Sequence, residues 1–225
     1  AFVQGIVGRG GTILFVGTKR QAQSIVIEAA ERCGMPHVTG RWLGGTMTNF
    51  VEIKKVLRRL KDLKAQRESG ALKKYTKFEQ LEFTREIAEL EAKVGGIQNL
   101  EKRPEALFVV DTRHEKTAVH EARAIATPII AMCDTNTKPE GIAYVIPSND
   151  DAVKSIRLIA GLVAEAVLEG KKDYEKAEAG KLSELKSKQT ADLPEASVFP
   201  SVAPSPLIKE PLTVAPTVVE PETIS

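Results

Sequence analysis

An α/β domain on a doubly wound parallel sheet, interrupted by a long inserted helical hairpin, is the fold that this sequence predicts. Three observations predict it. Short, almost wholly apolar runs at Thr12–Val16, Ala106–Val110, Pro128–Cys133 and Ala143–Ile146 alternate with helical patterns, as strands buried on both faces do. Two long charged segments between the first and second of these runs carry narrow apolar stripes at helical spacing. The 225 residues, 42% of them hydrophobic, suffice for one well-buried core and an appendage.

The elements follow in order. Phe2, Val3, Ile6 and Val7 repeat at helical spacing until Gly10-Gly11 stops them. The chain begins with Ala1 inside this pattern, so we expect it to continue upstream. Thr12–Val16 is the first strand, Gly17-Thr18 its exit, and Lys19 to Arg32 a helix with Ile25, Val26, Ala29 and Ala30 facing inward. Gly34 ends that helix, and Pro36 introduces a short extended piece, His37 to Thr39.

From Thr48 to Glu68, Phe50, Ile53, Val56, Leu57, Leu60 and Leu63 form one stripe; from Phe78 to Val94, Leu81, Phe83, Ile87, Leu90 and Val94 form another. Narrow stripes joined through a polar loop with Gly70 suggest an antiparallel coiled-coil hairpin, packed mainly on itself and projecting from the body. The α/β alternation resumes at Ala106–Val110, with helices expected at Glu115–Ile125 and Asp150–Glu169, the latter capped by Asn149 or Asp150. The resulting division is a body over 1–47 and 104–172, a hairpin over 48–103, a charged linker or frayed helix over 173–192, and a tail over 193–225. Seven of the twelve prolines fall in that tail, which has no periodicity to offset its ordering entropy and is expected to be disordered.

Charge is distributed unevenly. The formal net charge is +2, yet Arg41 to Lys77 holds eleven bases against three acids, about +8. Such an arm is the footprint of a polyanion partner, because phosphate charge dominates affinity for nucleic acid. The tail carries five acids and one Lys from Thr190 onward, so RNA should repel it. No apolar run approaches the ~18 residues of a membrane helix, and no secretory signal opens the chain. Cys33 and Cys133 suit neither a zinc cluster nor a disulfide framework and are expected to be packed thiols.

Candidate contacts follow from position. The Gly17-Thr18-Lys19-Arg20 turn lacks the glycine spacing of a P-loop or a dinucleotide fingerprint. Lys19 and Arg20 are read as RNA-phosphate contacts or solvated cap residues. Arg41 and Trp42 precede Gly44-Gly45 at the entrance to the basic arm; Arg41 is read as an RNA contact, and Trp42 either as a contact or as a plug that seats the arm on the body. Lys54, Lys55, Arg58, Arg59, Lys61, Lys73, Lys74 and Lys77 are the arm's candidates, with Arg113 and His114 in the loop after Ala106–Val110. Asp111 and Asp134 both follow apolar runs, at the sheet edge where α/β folds bind ligands. Paired there they would hold Mg²⁺ for phosphate-ester chemistry, although capping of turn amides is the reading we favour. His37, His114 and His120 have no metal-ligand spacing.

Several motifs together resemble one family, the second-numbered protein of the small ribosomal subunit in its bacterial and organellar form. They are Ile13 to Ala22, Arg41 to Phe50, Leu90 to Gly96, Val109 to Thr112, Cys133 to Asn136 and Ile146 to Ala152, in order along about three quarters of the chain. The resemblance implies a flavodoxin-like fold carrying a coiled-coil hairpin, and a scaffolding role, without catalysis or cofactor, on small-subunit RNA and beside other small-subunit proteins. It also implies docking of the large multi-domain ribosomal protein that handles messenger RNA, and a ribosomal location in the cytoplasm or an organelle. The family's Gly-x-His-Phe-Gly-His segment is not in this sequence, and the proline-rich tail is not part of the shared pattern.

Overall fold

The computed structural model describes the backbone of residues 1–191 and the side chains of residues 1–179. Five strands, β1 (Ile13–Val16), β2 (His37–Val38), β3 (Ala106–Val110), β4 (Ile129–Cys133) and β5 (Tyr144–Pro147), form one all-parallel sheet in the order β2-β1-β3-β4-β5. That order places the reversal of winding at β1 and β3 and agrees with a flavodoxin-like fold. Six helices accompany it: α1 (Phe2–Val7), α2 (Arg20–Cys33), α3 (Phe50–Glu68), α4 (Lys77–Val94), α5 (Lys116–Ala124) and α6 (Val153–Ala191).

The inner strands are apolar throughout because both faces are covered. Leu14, Val16, Leu107, Val109, Ile129 and Ala131 point into one core with residues of α3, α4 and α5. Ile13, Phe15, Phe108, Val110, Ile130 and Met132 point into the other with α1, α2 and α6. Phe15 pairs with Phe108 across β1 and β3, and their rings meet edge to face at 5.3 Å, worth about 1 kcal/mol beyond burial. Cys33 and Cys133 are buried free thiols, both pushed up by burial.

Local chemistry sets the element ends. Gly34, in the left-handed region at φ 61°, closes α2, and the Met35 amide reaches back to the Ala30 carbonyl at 2.9 Å. Thr76 and Glu79 form a reciprocal capping box at the start of α4. Asn149 caps the amides of Asp151 and Ala152 ahead of α6, whereas Asp150 turns inward to Lys19.

Two elements add to the expectation. The inserted pair α3–α4 lies between β2 and β3 in chain order, and the helices touch through Arg59–Glu86 at 3.0 Å and Lys64–Glu91 at 2.6 Å. Its buried face is also continuous with the core on one side of the sheet. Leu60 and Leu63 are fully covered and join the sheet's core, and Lys64 also reaches Gln98 at 3.1 Å, in the segment leading to β3. A two-helix seam alone would leave such flanks open. In α4 the expected stripe narrows to Ile87 and Val94, while Leu81 is exposed. Helix α6 continues past Glu169 to Ala191, through the stretch expected as a charged linker or frayed helix; the Ala, Glu and Lys content of 171–191 favours helix without needing a buried stripe. Residues Ala1–Glu184 form one compact unit; of the second, which begins at Leu185, the described residues 185–191 are helical. The expectation for the proline-rich tail falls outside the described residues.

Candidate nucleic-acid interface

The Arg41–Phe50 segment is organised by a residue that sequence reasoning missed. Glu121, on the inner face of α5, is buried, and one of its oxygens accepts from the Trp42 indole Nε1 at 3.0 Å and the Gly45 amide at 2.8 Å. The other accepts from the amides of Met47 at 2.9 Å and Thr48 at 3.3 Å, and from the Thr48 hydroxyl. Burial alone would raise this carboxyl, but these donors outweigh it and hold it below the ordinary range. Gly45 sits at φ 90°, a conformation open to glycine, which brings its amide to Glu121.

Trp42 is therefore the plug of the two readings. Its ring is buried and its N–H is occupied, leaving no face for a base to stack on. Arg41, next to it, is exposed.

Lys19 is likewise committed inside the protein. Its ammonium lies 3.2 Å from Asp111, 3.1 Å from Asp150 and 2.5 Å from Asp151. Burial works against its charge, yet the three carboxylates prevail and push it well above the usual lysine range. Asp150 is pushed up, first by burial and then by the neighbouring carboxylates, with Lys19 pulling the other way. Arg20, one residue on, is exposed.

Asp111 adopts φ 65°, left-handed, which Asp tolerates better than most residues. Its Oδ1 accepts from the amides of Arg113 at 2.9 Å and His114 at 3.0 Å. With Oδ2 on Lys19, both oxygens are occupied. Asp134 accepts from the Thr135 amide at 2.7 Å. Both acids thus cap turns, and among the described residues no group of three or more His, Cys, Asp or Glu is placed to hold a metal ion. The same turn presents Arg113 outward and ties His114 to the Thr18 hydroxyl at 3.0 Å, where buried Glu115 also binds the Thr18 amide at 2.7 Å.

The remaining candidates lie at the surface of the insertion. Lys54, Arg58 and Lys61 recur at one-turn spacing beside the buried stripe of α3 and flank a cleft of about 170 Å³ against Gln98, Leu100 and Glu101. Lys55 is paired with Glu52 at 2.7 Å and Arg59 with Glu86; such exposed pairs are weak, about 0.2–1 kcal/mol. Lys54 stands over the Phe50 ring at 5.3 Å and Lys74 over Tyr75 at 5.2 Å. Among the described residues none of Lys54, Arg58, Lys61, Lys73, Lys74 and Lys77 is in an ion pair. Lys73, Lys74 and Lys77 crowd the start of α4, where the helix dipole disfavours positive charge. No ion pair among the described residues offsets that local cost.

The missed acids had a sequence signal. Glu115, Ala118, Glu121 and Ala122 share one face of α5, and a carboxylate on an apolar face requires donors. The amides of Gly45, Met47 and Thr48 supply them for Glu121 and Thr18 for Glu115, but 73 to 97 residues away. Compared with known protein families, the sequence matches the model of ribosomal protein S2 over residues 1–170.

Proposed function

Because the chain belongs to the ribosomal protein S2 family, structural proteins of the small ribosomal subunit rather than enzymes, we propose that its α3–α4 insertion holds it on small-subunit ribosomal RNA through phosphate contacts. The observation that carries this reading is the row Lys54, Arg58 and Lys61 with the cluster Lys73, Lys74 and Lys77. These cations are in no ion pair within the described protein; Lys54, Arg58 and Lys61 are displayed on a helix whose other face joins the core, and Lys73, Lys74 and Lys77 stand at the turn into α4. Arg20, Arg41 and Arg113 extend the surface, Lys55, Arg59 and His114 contribute at its margins, and Lys19 and Trp42 hold the scaffold. Neighbouring small-subunit proteins are the further partners, and the ribosome, in the cytoplasm or an organelle, is the place of action. No described helix is long and apolar enough to cross a membrane.

Phosphate contacts have a measurable signature. Binding to a small-subunit ribosomal RNA transcript should weaken steeply with salt, and K54A/R58A/K61A should flatten the log–log slope by about 2–3 units. An unchanged slope in that variant defeats the reading.

A further inference from the structure

Helix α5 segregates its charges. Its acids, Glu115 and Glu121, are buried on the sheet side, while Lys116, His120 and Arg123 occupy the solvent side at successive turns. Between that basic face and the loop from β4 to β5 lies a groove of about 490 Å³. Arg113 and Lys116 line one end, His120 and Arg123 continue it, and Lys138 and Asn136 face them from the loop. No carboxylate lines it; Glu140 of the same loop is exposed and outside the lining. Among the described residues, none of Arg113, Lys116, Arg123 and Lys138 takes part in an ion pair.

Arg123 lies close against the loop. Gly141 has φ 70°, and a Cβ there would come within 2.8 Å of the Arg123 Cζ. The guanidinium therefore lies against the bare backbone of the loop, and the glycine permits that approach. Holding four permanent cations along one groove is unfavourable until a polyanion arrives.

We infer that this groove is a second RNA-backbone site, separate from α3 and α4, in which Arg113, Lys116, Arg123 and Lys138 take successive phosphates while Asn136 and His120 donate hydrogen bonds. The site rests on the RNA-binding role proposed above. RNA suits it better than an acidic protein segment because the groove is open and its lining is mainly polar, with cations at both walls. Arginine at two positions adds bidentate recognition of phosphate oxygens.

The test uses the full chain and three probes: a small-subunit ribosomal RNA transcript, a uridine oligomer and polyglutamate. K116A/R123A/K138A removes exposed side chains only, and circular dichroism confirms folding. With three phosphates lost, the salt slope on the transcript should flatten by about 2–3 units, so that raising salt from about 50 to 200 mM costs the parent about 16- to 64-fold more affinity than the variant. K116R/K138R, which keeps the charge, should retain the parental slope. If K54A/R58A/K61A flattens the slope and the groove variant does not, this inference is wrong while the proposed function stands. If the parent chain binds no RNA in a salt-dependent way, both fall. If the groove variant loses polyglutamate binding but keeps RNA binding, the groove belongs to an acidic protein partner and the assignment is overturned.

Discussion

Replacing Glu121 tests how the Arg41–Phe50 segment is held. In Glu121→Ala the Trp42 indole N–H and the Met47 amide, both on buried residues, lose their acceptor, while Gly45 and Thr48 lie nearer water and can be resolvated. Two orphaned buried donors at about 1–3 kcal/mol each put the loss near 4 kcal/mol. Glu121→Gln keeps one accepting oxygen and turns an NH₂ toward the other donors, so about half that loss is expected. With a urea dependence of about 2 kcal/mol per molar, the midpoints should fall by about 2 M for Ala and about 1 M for Gln. Trp42 is the only tryptophan, so its fluorescence follows unfolding and reports from the same segment; native emission should shift red in the Ala variant. Acid titration supplies a second readout. The Glu121 carboxyl is held below its ordinary 4.5, so between the two values the unfolded chain binds a proton that the native chain refuses. Its contribution is complete above about 4.5, is lost as pH falls through the folded value, and should vanish from the acid limb of Glu121→Gln. A midpoint shift under about 0.3 M in Glu121→Ala with unchanged emission would refute the argument.

Other consequences follow from the same geometry. Lys19→Met leaves Asp111 and Asp150, with side chains 11% and 3% exposed, facing each other without a cation, and should cost about 3 kcal/mol by urea melt. The deficit should shrink when melts at about pH 7 are repeated at about pH 4, because Asp150, pushed up by burial, takes a proton more readily and then no longer needs the lysine; a deficit that grows on acidification contradicts the assignment. In the parent, the raised Lys19 keeps its contribution below about 10.5 and loses it only as pH climbs through the higher folded value. Gly96→Ala would drive a Cβ into the His37 carbonyl and to 2.6 Å from its ring, so a loss of about 2–3 kcal/mol is expected where β2 meets the turn after α4. A melting curve unchanged from the parent would show that the turn gives way freely.

The inner strands were legible because burial on both sheet faces leaves the mark of an unbroken apolar run, as at Ile13–Val16 and Ala106–Val110; the run at β5 misled on burial, since Tyr144 and Val145 are exposed at the sheet's edge. Gly34 and Asn149 were legible because their chemistry acts within three residues. The site was less so. Lys19 meets acids 92 and 131 residues away, and Trp42 meets Glu121 at a separation of 79; charge at that range has no local pattern. Spacing alone also counted Lys19 among the available bases, when its neighbours consume it. For α3, the stripe's width described one seam, and the burial of Leu60 and Leu63 required a second surface that only the fold supplies.

Incorporation into the particle tests the central claim most directly. Tagged chain reconstituted with small-subunit components should co-sediment with the subunit and be freed by nuclease, whereas K54A/R58A/K61A/K73A/K74A, folded by circular dichroism, should remain at the top of the gradient. Equal incorporation of that variant, or retention of the parent after the RNA is digested, would contradict it.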